Sequence, residues 1–399
     1  MPSKLTVGVA QVHTQSTTPK TLSLLRKHTQ VAAEKNISIL LFPEAFLGGY
    51  PRTCNFGAAI GSRTTQGREQ FLQYFKSCVD LGDTAKGEEE RWLRRELQVD
   101  AESGKRGDGT REYLENVSRE TGVFLVVGMV ERAGGSLYCA VVYVDPVKGT
   151  IAKRRKVMPT GTERLVWAQG QPSNLRAVVA HVKGVRVVMG AVICWENYMP
   201  LLRYALYSQG VNLWLAPTAD PRGTWESLMR TIACEGRCWV VSGNQCIKSA
   251  DLPAWVTGKE SNGTAGGHDG AVNGTAPPSS PPVDGRRRSS VSTRTQENHE
   301  IVWRAKSNAI DESPLEETGA GAVEEDPKEF ASAGGSCIVN PMGETVVGPV
   351  WNKDEELLYA EIDFDECDRG RLDFDASGHY SRMDAFQLTV QGLDMTPPP

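Results

Sequence analysis

Apolar positions in the first part of the chain alternate between two spacings. Runs of apolar, often β-branched residues at 5–12 and 37–42 indicate buried strands, and apolar residues recur at helical spacing between 19 and 34. Strand, helix and strand joined by short loops are typical of an α/β layer. Further strands are predicted at 123–130, 138–144, 151–159, 185–193, 211–216, 238–247, 334–341 and 357–362. Further helices are predicted at 67–78, 109–120 and 225–237, with an exposed, charged helix at 88–102. The pattern predicts an α/β protein.

The pattern changes between residues 249 and 330, which are rich in Gly, Ser, Thr, Pro and charge. Few large apolar side chains occur there, so this stretch cannot bury enough surface to offset the entropy of ordering. We predict a single domain over residues 1–392, interrupted by a low-complexity, disordered insertion at 249–330 and followed by a frayed tail at 393–399. Residues 286–289 of the insertion, Arg-Arg-Arg-Ser, form a candidate phosphorylation site.

Charge and cysteine content limit the class of protein. A formal net charge of −5 offers no basic surface to nucleic acid. The first residues lack the pattern of a secretory signal, and no apolar run approaches the roughly 20 residues of a membrane-spanning helix. Nine cysteines without regular spacing indicate free thiols in a reducing compartment. We expect a soluble cytoplasmic protein that binds neither nucleic acid nor membrane.

One group of cysteines invites comparison with a metal site. Cys234, Cys238 and Cys246 are close together in the sequence, but the nearest histidines, His181 and His268, are too distant to supply an obvious fourth ligand. The histidines also lack the paired spacing of a metal-binding helix. We therefore expect no metal ion.

Cys194 lies at a junction between two predicted elements. The apolar run at 185–193 ends immediately before it, and apolar residues recur at helical spacing from Leu201 onward, with Pro200 in a position that a first helical turn tolerates. Unpaired amide groups and the helix dipole at such a junction favour a thiolate. Cys194 is therefore a candidate nucleophile, although a buried and inert cysteine is an open alternative.

Two charged residues also lie beside strand ends. Glu44 follows the apolar run at 37–42, and Lys156 is the last of four consecutive basic residues that begin at Lys153. Because alternate residues of a strand face opposite ways, two of these four basic side chains should point inward. A thiol nucleophile, a carboxylate that accepts protons and a fixed ammonium are the groups needed for addition to a polar carbon–nitrogen bond.

Three segments resemble one known family. Residues 42–51, 153–167 and 194–203 are similar to the glutamate, lysine and cysteine motifs of the nitrilase branch of the carbon–nitrogen hydrolase superfamily. The resemblance covers about residues 4–248 and 334–392 and is to organic nitrilases of the fungal type. It implies an αββα four-layer sandwich. It also implies a homo-oligomer, in which dimers are the building block and spiral filaments can form.

The same resemblance implies a reaction. Cys194 would attack a nitrile carbon, Glu44 would act as the base, and Lys156 would stabilise the tetrahedral intermediates with help from the backbone amide of Trp195. Glu163 would position Lys156 or the water, and no cofactor would be required. The implied activity is hydrolysis of an aromatic or arylaliphatic nitrile to the carboxylic acid and ammonia.

Other functions fit the same residues. A nitrile or cyanide hydratase would use the same three groups and release the amide, and an amidase would use them on a different bond. From a different class, a catalytically silent assembly protein could retain the fold and bind partners through the insertion. The intact set of Glu44, Lys156 and Cys194 favours an enzyme.

Overall fold

The computed structural model describes residues 3–253, Val256, 290–294, 300–304 and 329–399 of the 399 residues. Most of the predicted insertion, including the candidate phosphorylation site at 286–289, lies outside the described residues. The short strands β13 (Ser290–Arg294) and β14 (Glu300–Arg304) pair antiparallel and belong to a separate unit, Asn262–Glu325. The predicted division into one interrupted domain stays a prediction.

The first of two large sheets contains six strands. In spatial order they are β17 (Glu356–Asp363), β1 (Lys4–Gln11), β2 (Ile39–Leu47), β5 (Phe124–Ala133), β6 (Ser136–Asp145) and β7 (Gly149–Arg155). Strands β1, β2 and β5 are parallel neighbours, and β5, β6 and β7 are antiparallel. The β5–β6 turn pairs Ala133 with Ser136 across Gly134 and Gly135, because these glycines allow a tight hairpin.

The second sheet contains seven strands. In spatial order they are β12 (Cys246–Lys248), β15 (Phe330–Val339), β11 (Trp239–Asn244), β10 (Leu213–Thr218), β9 (Val185–Ala191) and β8 (Val178–Val182), and β16 (Thr345–Trp351) pairs with β15. Strands β9, β10 and β11 are parallel. A separate two-stranded hairpin joins β3 (Ala58–Ala59) to β4 (Ser62–Arg63).

Helices cover the outer faces of both sheets. In chain order, the α-helices whose bounds the structure gives are α1 (Thr18–Glu34), α2 (Thr65–Ser77), α3 (Glu89–Leu93), α4 (Thr110–Thr121), α5 (Pro200–Tyr207), α6 (Thr224–Gly236) and α7 (Asp365–Gly370). Helices α1 and α4 pack on the first sheet, and α5 and α6 pack on the second. Apolar side chains fill three layers: between the sheets, under α1 and α4, and under α5 and α6. These layers form the αββα sandwich that the sequence predicted.

Each predicted strand has a counterpart, but two strands of the large sheets were missed, as were the short strands β3, β4, β13 and β14. Strand β8 is only five residues long and β16 is largely half-buried, so neither produces a strong apolar run. The predicted exposed helix at 88–102 is wrong, because only Glu89–Leu93 is α-helical and its Trp92 is buried. The Trp92 indole donates a hydrogen bond to the carbonyl of Leu81 and stacks against Arg111, contacts that the charge pattern of the segment does not reveal.

The predicted cytoplasmic location and the predicted fraying of residues 393–399 both stay predictions. No helix among the described residues is both long and apolar enough to cross a bilayer. The cytoplasmic location stays a prediction. In residues 393–399, Leu393 packs on the core under α5, and Arg186 donates a hydrogen bond to the carbonyl of Pro398 at 2.7 Å. The fraying of this tail also stays a prediction.

Candidate active site

Glu44 lies inside strand β2 rather than just past its end, so the predicted end of this strand is wrong. The pairing of β2 with β5 is irregular between Phe42 and Leu47, and Ala45 adopts a left-handed conformation with φ of 50°. The neighbouring strand accommodates this irregularity because Gly128 has no side chain: a Cβ there would lie 2.0 Å from the carbonyl oxygen of Pro43. The irregular segment holds the Glu44 carboxylate completely buried.

All four consecutive basic residues at the end of β7 are buried, whereas the sequence predicted that two would be. Their side chains do alternate. Lys153 and Arg155 contact the carboxylate of Glu131 at 2.5 and 2.7 Å, while Arg154 and Lys156 form ion pairs with other carboxylates. A buried cation requires a partner, and Glu131 supplies one for two of the four. The chain places Glu131 on the adjacent β6–β5 hairpin, which the local sequence around β7 cannot show.

Lys156 connects two carboxylates. Its Nζ lies 2.8 Å from Oε1 of Glu44 and 2.7 Å from Oε2 of Glu163. Glu163 is held in turn by the backbone N–H of Thr160 at 2.7 Å and by the hydroxyl of Tyr50 at 2.9 Å. The structure therefore brings together three of the predicted site residues, which are up to 119 positions apart, and adds Tyr50, which the sequence analysis missed.

Cys194 begins a short 3₁₀ helix, Cys194–Tyr198, that precedes α5. It has a φ of 53°, an uncommon conformation for a residue other than glycine, and its side chain is buried. The hydroxyl of Thr218, at the end of β10, donates a hydrogen bond to its Sγ at 3.3 Å. Thr218 was also missed, although a polar residue at the carboxyl end of a neighbouring parallel strand is a signal that could have identified it.

The pKa values in the site follow from burial and close charges. Burial raises the pKa of Glu44, and the nearby Lys156 only partly opposes this. Burial also raises the pKa of the Cys194 thiol, and the negative charge of Glu44 raises it further. The expectation that a helix dipole would favour the thiolate is therefore wrong in direction. The thiol needs an adjacent base in order to react.

Lys156 stays charged in spite of its burial. Burial by itself lowers the pKa of an ammonium, but Glu44, the nearby thiols and Glu163 together raise the pKa of Lys156 well above its ordinary value. A permanently charged ammonium that is excluded from water interacts strongly with negative charge that develops beside it. Lys156 is thus suited to stabilising an anionic intermediate.

Glu44 has one oxygen available. Its Oε1 accepts hydrogen bonds from Lys156 and, at 3.5 Å, from the thiol of Cys139. Its Oε2 is buried and has no hydrogen-bond partner among the residues that the structure describes. A buried acceptor without a partner is unusual, and here it leaves one carboxylate oxygen able to accept a proton.

Trp195 follows Cys194 in the chain, and its side chain is held by Asp220 and Arg222. Its indole nitrogen donates a hydrogen bond to Oδ2 of Asp220 at 2.9 Å, and the guanidinium of Arg222 lies 4.5 Å from its ring centre. The backbone N–H of Trp195 belongs to the first turn of the 3₁₀ helix, where amide groups lack a partner within the helix. This amide is adjacent to the nucleophile in the chain and can donate to an oxyanion or a developing negative nitrogen.

No group of three or more His, Cys, Asp or Glu side chains in the described part of the chain is arranged to hold a metal ion. The cysteines at 234, 238 and 246 are free. The groups that the site brings together are a thiol, two carboxylates, an ammonium and a backbone amide.

Two sheets between helix layers, with a cysteine buried beside a carboxylate and an ammonium, define a class: hydrolases with an αββα sandwich that act on carbon–nitrogen bonds other than peptide bonds. The model of the carbon–nitrogen hydrolase family matches residues 6–371, and the chain belongs to this family, in its nitrilase branch.

The comparisons with individual proteins agree with this assignment. An arylacetonitrilase of Trametes versicolor is 34% identical over 98% of this chain and 98% of its own length. An aliphatic nitrilase of Sinorhizobium fredii is 33% identical over 94% of this chain and 90% of its own length. A carbon–nitrogen hydrolase from Helicobacter pylori has a similar fold, with a TM-score of 0.57 at 14% identity, over 96% of this chain and 97% of its own.

Proposed function

We propose that the protein hydrolyses an organic nitrile to the carboxylic acid and ammonia through a covalent intermediate on Cys194. The observation that carries this proposal is the burial of the Cys194 thiol beside Glu44, with Lys156 paired to the same carboxylate at 2.8 Å. Nucleophile, base and cation are thus assembled in one buried site. The similarity to nitrilases over nearly the whole chain supports the same reaction.

The first step is addition of sulfur to the nitrile carbon. Sγ of Cys194 forms the bond to carbon while its proton passes to Glu44, and the nitrile nitrogen takes up that proton to give a thioimidate. Negative charge develops on nitrogen during the addition. Lys156 and the backbone amide of Trp195 stabilise this charge. Glu163, which is bonded to Lys156 at 2.7 Å, keeps the ammonium in place.

The second step releases ammonia. A water molecule adds to the thioimidate carbon and gives its proton to Glu44, and the resulting tetrahedral intermediate expels ammonia after the nitrogen has been protonated. The product is a thioester. A second water molecule then displaces Cys194, which leaves the carboxylic acid and the free thiol. The side chains supply every group that this sequence requires, so no cofactor takes part in it.

The proposed substrate class rests on the similarity to a relative and not on a cavity. The arylacetonitrilase of Trametes versicolor is 34% identical over 98% of this chain, which supports an aromatic or arylaliphatic nitrile as the substrate. A small cavity beside Tyr50 has walls of mixed polarity and a volume of about 20 Å³, which is too small for an aromatic ring. Its apolar lining residues are Ala219, Ile247, Leu252 and Pro253, and its polar ones include Thr14, Gln245 and Ser332.

A panel of nitriles tests the reaction and the substrate class. The purified protein is incubated with benzonitrile, phenylacetonitrile, an aliphatic dinitrile and cyanide, and ammonia, acid and amide are measured after complete turnover. We expect kcat/KM for the aromatic or arylaliphatic nitrile to exceed that for the aliphatic one by at least about tenfold. The reason is that moving an aromatic ring out of water into the site is more favourable than moving a smaller aliphatic group.

The product ratio distinguishes the alternatives. Acid and ammonia in equal amounts are the expected products. Amide as the main product would instead identify a hydratase, which differs only in the group that leaves the tetrahedral intermediate. No turnover of any nitrile, with turnover of amides, would replace the proposal by an amidase.

We also propose that the chain assembles into a homo-oligomer with a dimer as its unit. Around α5 and the segment that follows α7, several large apolar side chains are more than half exposed, an arrangement that a second copy could cover. They are Leu201, Leu372, Tyr380, Met383 and Phe386. Light scattering of the full chain should give a mass of at least twice 43.5 kDa. The double variant Leu201→Glu/Phe386→Glu should lower that mass, and a monomeric parent protein would contradict the proposal.

A further inference from the structure

Glu196 is the most completely bonded carboxylate near the site, and the reaction described above does not use it. It lies two residues after Cys194 and is fully buried. Four N–H groups donate to its two oxygens. They are the backbone amides of Ile193 at 3.1 Å, Val157 at 2.7 Å and Met158 at 3.1 Å, and the guanidinium of Arg154 at 2.7 Å.

These four donors come from two different segments. Ile193 immediately precedes the nucleophile, whereas Val157 and Met158 immediately follow Lys156. Oε2 binds the cysteine segment and Arg154, and Oε1 binds the two amides of the lysine segment. One carboxylate thus spans the gap between the chain around the thiol and the chain around the ammonium.

Arg154 also links the chain around Lys156 to the chain around Cys194. It lies on β7, two residues before Lys156, and its second terminal nitrogen donates to the carbonyl of Ala191 at 2.9 Å. Ala191 is the last residue of β9, in the opposite sheet. Because β7 and β9 share no ladder hydrogen bonds, apolar packing between the sheets does not by itself fix their register.

We infer that Glu196 and Arg154 form a positioning pair that fixes the Cys194 thiol relative to the Lys156 ammonium. The inference rests on the proposed function, since it concerns the geometry of that reaction. Charge-assisted hydrogen bonds are directional, and they are strong when they are excluded from water. They therefore fix the distance between the cysteine segment and the lysine segment, which non-directional dispersion forces do not. A displacement of about 1 Å between catalytic groups can cost about 100-fold in rate.

The variant Glu196→Gln tests the pair. Glutamine has the same shape, but its amino group cannot accept hydrogen bonds, so one of the two segments loses its acceptor and Arg154 loses its counter-charge. We expect kcat of the full-length protein to fall about 100-fold, while KM for the best nitrile of the panel changes by less than about threefold. The rate is normalised to the folded fraction, which circular dichroism measures.

A matched control separates positioning from stability. Glu115 is a similarly buried carboxylate that accepts from Arg111 at 3.0 Å and from the backbone of Thr150 at 3.2 Å, on α4 and away from the site. Glu115→Gln should lower the melting temperature while kcat stays within about twofold of the parent. A purely structural role for Glu196 would give the two variants the same kinetic behaviour.

A milder variant covers the case in which Glu196→Gln does not fold. Arg154→Lys keeps the charge, but a single ammonium cannot replace a planar fork that reaches both Glu196 and Ala191. We expect kcat to fall about tenfold with KM unchanged within threefold. A kcat within threefold of the parent in folded Glu196→Gln, or an unchanged kcat in Arg154→Lys, would overturn the inference. These results would leave the proposed function intact if Cys194→Ala is inactive, whereas an active Cys194→Ala would refute the proposed function itself.

Discussion

Replacement of Cys194 by alanine should abolish nitrile turnover, with a loss of roughly 10⁴-fold or more in kcat. The physical reason is that the reaction requires a covalent bond from sulfur, and alanine offers no nucleophile. The protein should remain folded, since the thiol is a small side chain and its hydrogen bond from Thr218, at 3.3 Å, is weak. Ammonia release under saturating nitrile measures the loss, and thermal unfolding checks the fold.

A second cysteine provides the matched control. Cys337 on β15 is as fully buried as Cys194, but it lies in the apolar layer under α5 and α6 and not between the sheets. Cys337→Ala should turn over nitrile within about twofold of the parent rate. Residual hydrolysis near the parent rate in Cys194→Ala would remove the proposed mechanism.

Replacement of Glu44 by glutamine should lower kcat by about 10³-fold or more, because the base that accepts the thiol proton is lost. Lys156 stays paired with Glu163 at 2.7 Å, so the ammonium keeps a counter-charge. Since burial raises the pKa of Glu44, folding disfavours its ionised form, and the neutral glutamine should be tolerated. We therefore expect the variant to melt at or above the temperature of the parent protein at neutral pH.

Two pH measurements distinguish a base from a structural carboxylate at this position. The parent protein should lose kcat/KM as the pH falls through the raised pKa of Glu44, above the ordinary range for a glutamate, because the protonated carboxyl cannot accept a proton. In Glu44→Gln, alkylation of Cys194 should shift to lower pH, since Glu44 raises the pKa of the thiol and Lys156 lowers it. An alkylation profile identical to that of the parent would show that the two side chains do not interact.

Much of the fold follows from local patterns. The alternation of β-branched runs and helical spacings predicted most strands of both sheets, because buried parallel strands are apolar on both faces and leave a clear signal. The extent of β2 was not predictable in this way. The apolar run at 37–42 predicted that the strand ends before Pro43, yet the chain continues as an irregular strand to Leu47 because Gly128 in the adjacent β5 leaves room for it.

The electrostatic state of the site was not predictable from the sequence either. A cysteine at a strand–helix junction suggested a lowered pKa, and its actual environment has the opposite effect, since burial and Glu44 both raise it. Similarly, a run of four basic residues suggested partial exposure, whereas ion pairs with Glu131, Glu196 and Glu44 make it possible to bury all four. Both errors arise because the pKa of a side chain and the extent of its burial depend on partners that are distant in the sequence.

By itself the sequence determined the α/β layering and the identity of the candidate nucleophile, carboxylate and cation, since periodicity and residue type are local properties. Only the tertiary structure decided that Glu44, Lys156 and Glu163 form one chain of contacts. It also decided that Tyr50 bonds Glu163, that Thr218 bonds Cys194, and that Glu196 connects the two segments around the site. The reason is geometric: these side chains lie on strands of two different sheets or on the segments that follow those strands, and their distances are set by how the sheets face each other.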